Sequence, residues 1–329
     1  MRLRFVQSRI AIYAAAAFVA AVGTFWPTPY SLLLPGKAIA LSDVVTVPDR
    51  PSPVVRFYLT DVSLVTGAAP FSLVDAFFPG VRLVRTEDVV PARLGDARFE
   101  SLMRDEMKQS QDVAVYVAER AAGYHPPAPR SRVLVAGLTP ASKADLRAGD
   151  VLVSVNGIGI AHAEQLHAAL ARMRPGAIAA IVYERDGVRA SERVATIAAG
   201  GQTRLGIYIE DREMLPKPPV PIAFDLPDVS GSSGGLMFAL QIYRTLRPSQ
   251  ANAGQRVAGT GTLRSDGTVG EIAGTEQKLV AARRAGATVF LVPVKNYPEI
   301  RDERGMRVVP VRTFDEAVRA LASSGTNHG

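Results

Sequence analysis

The stretch from Gly234 to about Leu246 (G-G-L-M-F-A-L-Q-I-Y-R-T-L) is apolar all the way round its first turns, with Leu236, Met237, Phe238, Ala239 and Leu240 leaving no polar face. A helix of this kind has to be covered on every side, so the chain must place structural layers both above and below it. The 329 residues suffice for two domains, or for one domain carrying an insert. A glycine-flanked serine pair precedes the helix directly, in D-V-S-G-S-S-G-G (Asp228 to Gly235). A serine at such a junction meets free backbone N–H groups and the positive end of the helix dipole, which stabilise an oxyanion. The small neighbours Gly231, Ser232 and Gly234 let a substrate backbone come close. Taken alone, G-S-S-G-G equally describes a flexible linker or a capped helix start.

A second helix is expected from Thr275 to the stop at Gly286 (T-E-Q-K-L-V-A-A-R-R-A-G). At about 100° per residue, Glu276, Gln277, Arg283 and Arg284 fall on one polar face. Lys278 falls almost opposite them, among Ala281, Ala282 and Ala285. Two outcomes are open for such a lysine. It reaches past the alanines to solvent, or it is desolvated, gives up its proton and becomes a general base.

Composition narrows the chemistry. Cysteine is absent, which removes disulfides, thiolate metal sites and a cysteine nucleophile. The net charge of +7 comes from scattered arginines, and no basic stretch is interleaved with aromatics, so nucleic acid is not an expected partner. The four histidines form no H-E-x-x-H, and a Ser-His-Asp triad would have to run through His125 in the linker. No G-x-x-x-x-G-K-S/T occurs, so neither ATP nor any other cofactor is implied.

Arg2, Arg4 and Arg9 precede an apolar run from Ile10 to Trp26, closed by Pro27 and Pro29. That run is close to the lower limit of about 17 residues for a membrane-spanning helix. A cleaved signal peptide would have a shorter apolar core and a small-x-small site, which A-A-V-G matches poorly. The expectation is an uncleaved single-pass anchor in the cell membrane, its N-terminus cytoplasmic and everything downstream outside. A Pro-rich connector, a strand over Val54 to Leu64 and a helix over Phe99 to Ala122 follow. His125 to Arg132 (H-P-P-A-P-R-S-R) reads as a domain boundary and Ala198 to Thr203 (A-A-G-G-Q-T) as a second. The strand V-F-L-V-P-V (Val289 to Val294) lies beyond, and the tail 323–329 is expected to fray.

Between those boundaries, Val133 to about Thr196 resembles a PDZ domain: the Gly149-Asp150 turn, the strand after it, the Asn156-Gly157 hairpin turn and a helix near Ala163 to Met173 match that family's spacing. The resemblance implies an extended peptide, often a free C-terminus, added between a sheet edge and that helix. It places the carboxylate-binding loop near Arg132 to Leu134, with Val133 and Leu134 in contact with ligand. A spacer role is the alternative.

The serine and lysine segments together resemble the proteolytic domain of Lon-type Ser–Lys proteases. Gly231, Ser233 and Gly235 match that family's G-P-S-A-G, with Ser232 in place of the proline and Gly234 in place of the alanine. Lys278 matches its lysine, Ala273-Gly274 stands where Gly-Gly is usual, and Thr260-Gly261 matches the Thr-Gly that opens the intervening hairpin. M-K-Q-S (Met107 to Ser110) is similar to the family's early Met-x-x-Ser helix. The resemblance implies Ser233 as nucleophile, although adjacent Ser232 offers a second hydroxyl, and Lys278 as base with Thr260 helping to hold its amine. Phe224, Asp225 and Leu226, in the strand-like stretch just ahead, are placed to pair with extended substrate.

The fold class expected is therefore α+β: an N-terminal anchor (1–30), a connector and first part of a Lon-like domain of mixed sheets (31–124), an inserted PDZ domain (130–199), the catalytic core (203–322) and a tail. The implied protein is a membrane-anchored, ATP-independent serine endopeptidase whose PDZ domain presents protein or peptide substrates. The rival is a peptide-binding scaffold with an inert protease-like domain, and a weaker option is a peptidase that processes only its own chain. A catalytic Lys278 amine should lie within about 2.6–3.2 Å of Ser233 Oγ, a contact for which a scaffold has no need. The oligomeric state is not legible.

Overall fold

The computed structural model describes residues 23–24, 26, 28–89, 96–226, 229–249, 253–300 and 305–322. Nearly all of the apolar run from Ile10 and the whole of the tail lie outside them. Among the described residues no helix is long and apolar enough to cross a membrane.

The chain forms two compact units, one made of residues 1–126 and 218–329 and the other of residues 127–217. The first is organised around a six-stranded mixed sheet, ordered Arg307–Val311, Val289–Pro293, Arg256–Gly259, Arg56–Val65, Tyr30–Ala40, Arg82–Arg85. The first four strands run parallel and the last two pairings are antiparallel. Val289–Pro293 is buried at all five positions, as an interior parallel strand covered on both faces must be. Tyr30–Ala40 falls where a Pro-rich connector was expected, and it contains the pair Pro35-Gly36. The strand absorbs it at a register shift between Pro35 and Ala38, beyond the reach of the short edge strand Arg82–Arg85.

Three helices carry the site. The long helix Asp96–Ala121 packs against the serine helix Gly235–Leu246, eleven of whose twelve residues are buried. Phe238 meets Phe224 edge-on at 5.4 Å, and Tyr243 meets Phe314 of the C-terminal helix at 5.8 Å. The lysine helix Thr275–Arg284 lies on the strands Tyr30–Ala40 and Arg56–Val65. Its Leu279 and Ala282 join Ala258, Phe290 and Val292 in one apolar cluster. Gln277, expected on the exposed face, is instead buried along with Thr275. The cause is close packing of the first turn: Gly274, left-handed at φ 73°, sits so near Val62 that a Cβ would approach it to 2.8 Å. Two faces of this short helix are therefore covered.

The second unit is a sheet ordered Ile207–Met214, Arg130–Leu138, Val151–Val155, Ile178–Arg185, Val188–Ala195, with the helix Ala163–Ala171 packed beside it. Asn156 and Gly157 are both left-handed and turn the hairpin after Val155. Asp150 accepts two hydrogen bonds from Arg185, at 2.7 Å each, and the Arg147 N–H at 2.7 Å. These contacts hold its carboxyl below the usual range, the Arg185 hydrogen bond being the main cause. The glycine pair read as the second boundary is a turn inside this unit. Gly200 and Gly201, at φ 58° and 73°, join Ile197–Ala199 to Gln202–Arg204. The unit continues to Lys217 because Ile207–Met214 pairs with Arg130–Leu138 along its whole length.

Replacing a fully buried side chain in the serine helix removes packing on all sides. Leu240→Ala is expected to lower the free energy of unfolding by about 3 kcal/mol, read from denaturant titration.

Candidate active site

The loop before the serine helix is held from behind by the long helix. Gly231 N–H donates to the Met103 carbonyl at 2.9 Å, and Ser110 Oγ donates to the Ser232 carbonyl at 3.0 Å. Ser232 Oγ donates to Glu106 Oε2 at 3.2 Å. The Met-x-x-Ser stretch thus acts as a brace, with Met107 and Ser110 both buried. The contacts also sort the two serines: the Ser232 hydroxyl turns to a carboxylate, and the Ser233 hydroxyl turns to the lysine helix.

Lys278 Nζ lies 2.5 Å from Ser233 Oγ and donates to Thr260 Oγ1 at 3.2 Å. The Thr260 hydroxyl in turn donates to the Ser233 carbonyl at 3.1 Å, which also accepts the Gly261 N–H at 2.9 Å. Ser233 is half-buried, whereas Lys278 is only 4% exposed. Burial is what pulls the Lys278 amine down to about 8, and the charge of Asp61 partly opposes it. Asp61 itself is raised, chiefly by its own burial, against the lowering effects of the Val62 N–H and of Lys278. Asp61 was not singled out from the sequence. It is the lone acid in the strand Arg56–Val65, and that was the available signal.

The N–H groups of Ser233 and Gly234 donate to no acceptor among the described residues, which leaves two donors at the positive end of a buried helix. A Cβ on Gly234 would come within 2.8 Å of Leu59 Cδ1, and one on Gly235 within 2.9 Å of Ser110 Oγ. A side chain at either position would have to displace side chains of the sheet, the brace or the serine helix itself. A nucleophile, a neutralisable amine in reach of it and free donors together form the set needed for acyl transfer. His125 is exposed and shares no hydrogen bond with Ser233 among the described residues.

Ahead of the serine, Ala223–Phe224 pairs with Val45–Thr46, and Asp225 N–H donates to the Val44 carbonyl at 2.8 Å. One edge of this stretch is therefore taken and the other has no strand on it among the described residues. Asp225 is exposed, while Phe224 and Leu226 are half-buried.

Val133 and Leu134 are not at a ligand loop. They lie within Arg130–Leu138, which is paired on both sides, and both are buried. No backbone group there is left for a peptide. Among the described residues the sheet has two edge strands, Val188–Ala195 and Ile207–Met214, and a groove of ≈ 560 Å³ runs between the latter and the helix bearing Leu166, His167 and Leu170. The turn R-L-G-I (204–207), with Gly206 at φ 73°, ends that groove. Gly206 followed by alternating Ile207 and Ile209 was the sequence signal for it.

Residues 225–322 match the family model of the Lon protease (S16) C-terminal proteolytic domain, and residues 80–196 match that of the PDZ domain. The PDZ match begins upstream of the compact unit 127–217 and stops short of its edge strand. Over 94 residues the chain is 32% identical to a Lon protease of Lachnoclostridium phytofermentans, covering 27% of this chain and 11% of that protein. The chain thus spans about a tenth of the length of that curated relative. Among solved structures, the PDZ domain of an SdrC-like protein from Listeria monocytogenes is 18% identical and covers 23% of this chain and 85% of its own, with a TM-score of 0.22. A Geobacillus thermodenitrificans protein is 21% identical and covers 23% of this chain and 94% of its own, also with a TM-score of 0.22.

A lysine lowered to about 8, below the 10.5 of a free side chain, makes the native chain bind fewer protons than the unfolded one between those two values. Stability from this group therefore rises with pH across that window and is lowest beneath it. Lys278→Met is expected to add ~1–3 kcal/mol to the unfolding free energy at neutral pH. It should also flatten the rise between pH 8 and 10.5, read from denaturant titrations at several pH values.

Proposed function

We propose that this chain is a serine endopeptidase that uses Ser233 and Lys278 as a dyad and works without ATP. The observation that carries the reading is the Lys278 amine, desolvated and 2.5 Å from Ser233 Oγ. In its neutral form the amine takes the hydroxyl proton as Oγ attacks the scissile carbonyl. The N–H groups of Ser233 and Gly234 receive the oxyanion, and Thr260 keeps the amine aimed at the serine. Lys278 then delivers the proton to the leaving amine, and water activated by the same amine releases the acyl group. The match to a Lon proteolytic domain supports the reaction class, and the lack of a P-loop motif in the sequence supports ATP independence.

The unit 127–217 is proposed to take an extended peptide, such as a substrate tail, as an added strand along Ile207–Met214. The PDZ match and the open groove support this. The basic N-terminus and the apolar run from Ile10 support a single-pass anchor with both units outside the membrane.

Mass spectrometry of peptide digests tests the dyad. Ser233→Ala and Lys278→Ala are each expected to lower kcat/KM by roughly 10³-fold or more, and Ser232→Ala to leave it within a few-fold. Equal activity in all of these variants would end the proposal.

The pH profile gives a second test. Only the free amine acts as base, so kcat/KM should rise with pH through about 8 and level off above it. A profile that is flat from pH 6 to 10 would remove Lys278 from the role.

Excising residues 127–217 with a short glycine-serine bridge tests the tail-binding role. Cleavage of an unstructured peptide should persist, while cleavage of a folded substrate bearing a free C-terminal tail should fall. Unchanged cleavage of both would leave that unit a spacer.

A further inference from the structure

Pro70–Phe77 is a 3₁₀ helix. At about three residues per turn, positions 71, 74 and 77 stack in a single line on its surface. Phe71, Val74 and Phe77 occupy that line and Phe78 follows, and all four are exposed, Phe77 to 89% and Phe78 to 61%. A single exposed apolar side chain is ordinary, but a contiguous row of large ones marks a surface that meets something other than water.

The same element is tied to the place where the N-terminal apolar run ends. The Gly23 backbone lies against the Phe71 ring with no room for a side chain between them. Thr28 donates to the Ala68 carbonyl through both its N–H, at 3.3 Å, and its Oγ1, at 2.6 Å. Ala68 N–H donates to the Tyr30 carbonyl at 2.8 Å. Trp26, between these ties, is 64% exposed. The point where an apolar run of membrane-spanning length would leave the bilayer is therefore pinned beside the aromatic row. Charge along the element is mixed, with Arg82 and Arg85 standing beside Asp75, Glu87 and Asp88 and Arg85 paired with Glu87, so the apolar row rather than net charge is what selects lipid.

We propose that Phe71, Val74, Phe77 and Phe78 form a membrane-interface element that seats the catalytic unit on the bilayer beside the exit of the N-terminal run. The occupant of this surface is lipid: aromatic side chains partition to the interface, and the run leading into Gly23 brings the bilayer to it. The inference rests on the anchoring reading given under Proposed function, and it adds a second, peripheral attachment on the folded unit itself.

Trp26 is the only tryptophan in the chain, which makes fluorescence a clean probe. The full chain carrying Trp26→Phe and Phe77→Trp is reconstituted into phosphatidylcholine–phosphatidylglycerol vesicles whose acyl chains are brominated at known depths. Emission from position 77 should shift to shorter wavelength and be quenched most by bromines nearest the headgroups. Phe78→Trp in the same background should behave likewise, and circular dichroism shows that both variants are folded. Solvent-like, unquenched emission from both positions would overturn the inference. So would a blue shift that ignores the bromines and grows with protein concentration, since a second copy would then be the occupant. Flotation at alkaline pH reads the anchor separately. A chain that washes off while position 77 is quenched at neutral pH loses the span and keeps the docking surface. A chain that resists washing with position 77 unquenched keeps the span and loses the surface.

Discussion

An amine cannot stay charged in a dry, apolar pocket without a penalty, and the unit that holds the serine and lysine helices places one there. Lys278 has Ser233, Thr260 and the through-space charge of Asp61 for company, and little water. Burial lowers its proton affinity towards neutrality while the hydroxyls still fix its position. The small residues Ala281 and Ala282 on the same helix bring it hard against the sheet, leaving no path for the side chain to reach solvent. Of the two outcomes that the helix pattern left open, that packing excludes the one in which the side chain reaches solvent.

The serine side of the pair is more open, since Ser233 is half-buried. Its loop is therefore clamped from outside rather than buried. The long helix supplies three clamps through Met103, Glu106 and Ser110, and the Thr260-Gly261 turn supplies two more to the Ser233 carbonyl. The three clamps from the long helix and the central strand Arg56–Val65 come from chain preceding the inserted unit, whereas serine, lysine and the Thr260-Gly261 turn come from chain following it. The unit is complete only when both pieces fold together. The glycines at 234 and 235 are what allow strand, brace and helix start to close on one point.

Periodicity and local chemistry carried much of this in the sequence. An all-round apolar helix had to be buried, and eleven of its twelve residues are. The lysine helix begins at Thr275 and ends before a left-handed Gly286, as its pattern requires. Chain breakers misled where a fold can absorb them. Pro35-Gly36 sits inside a strand by way of a bulge, and Gly200-Gly201 is a hairpin turn rather than a boundary. Val133 and Leu134 fall in an interior strand for a related reason: which strand lies at a sheet margin depends on sheet order, and sheet order is not written in any one strand.

By itself, then, the sequence determined the parts: a serine at the mouth of a buried helix, a lysine among alanines, an absence of cysteine, and an apolar run behind basic residues. Each follows from interactions within a few residues, which side-chain size, charge and helical spacing decide. Tertiary structure alone decided which serine faces the lysine, how dry that lysine is, that Asp61 lies within its field and that strand Ile207–Met214 is the edge beside the groove. All of these depend on groups tens to hundreds of residues apart, brought together by packing, and desolvation exists only once the packing is complete.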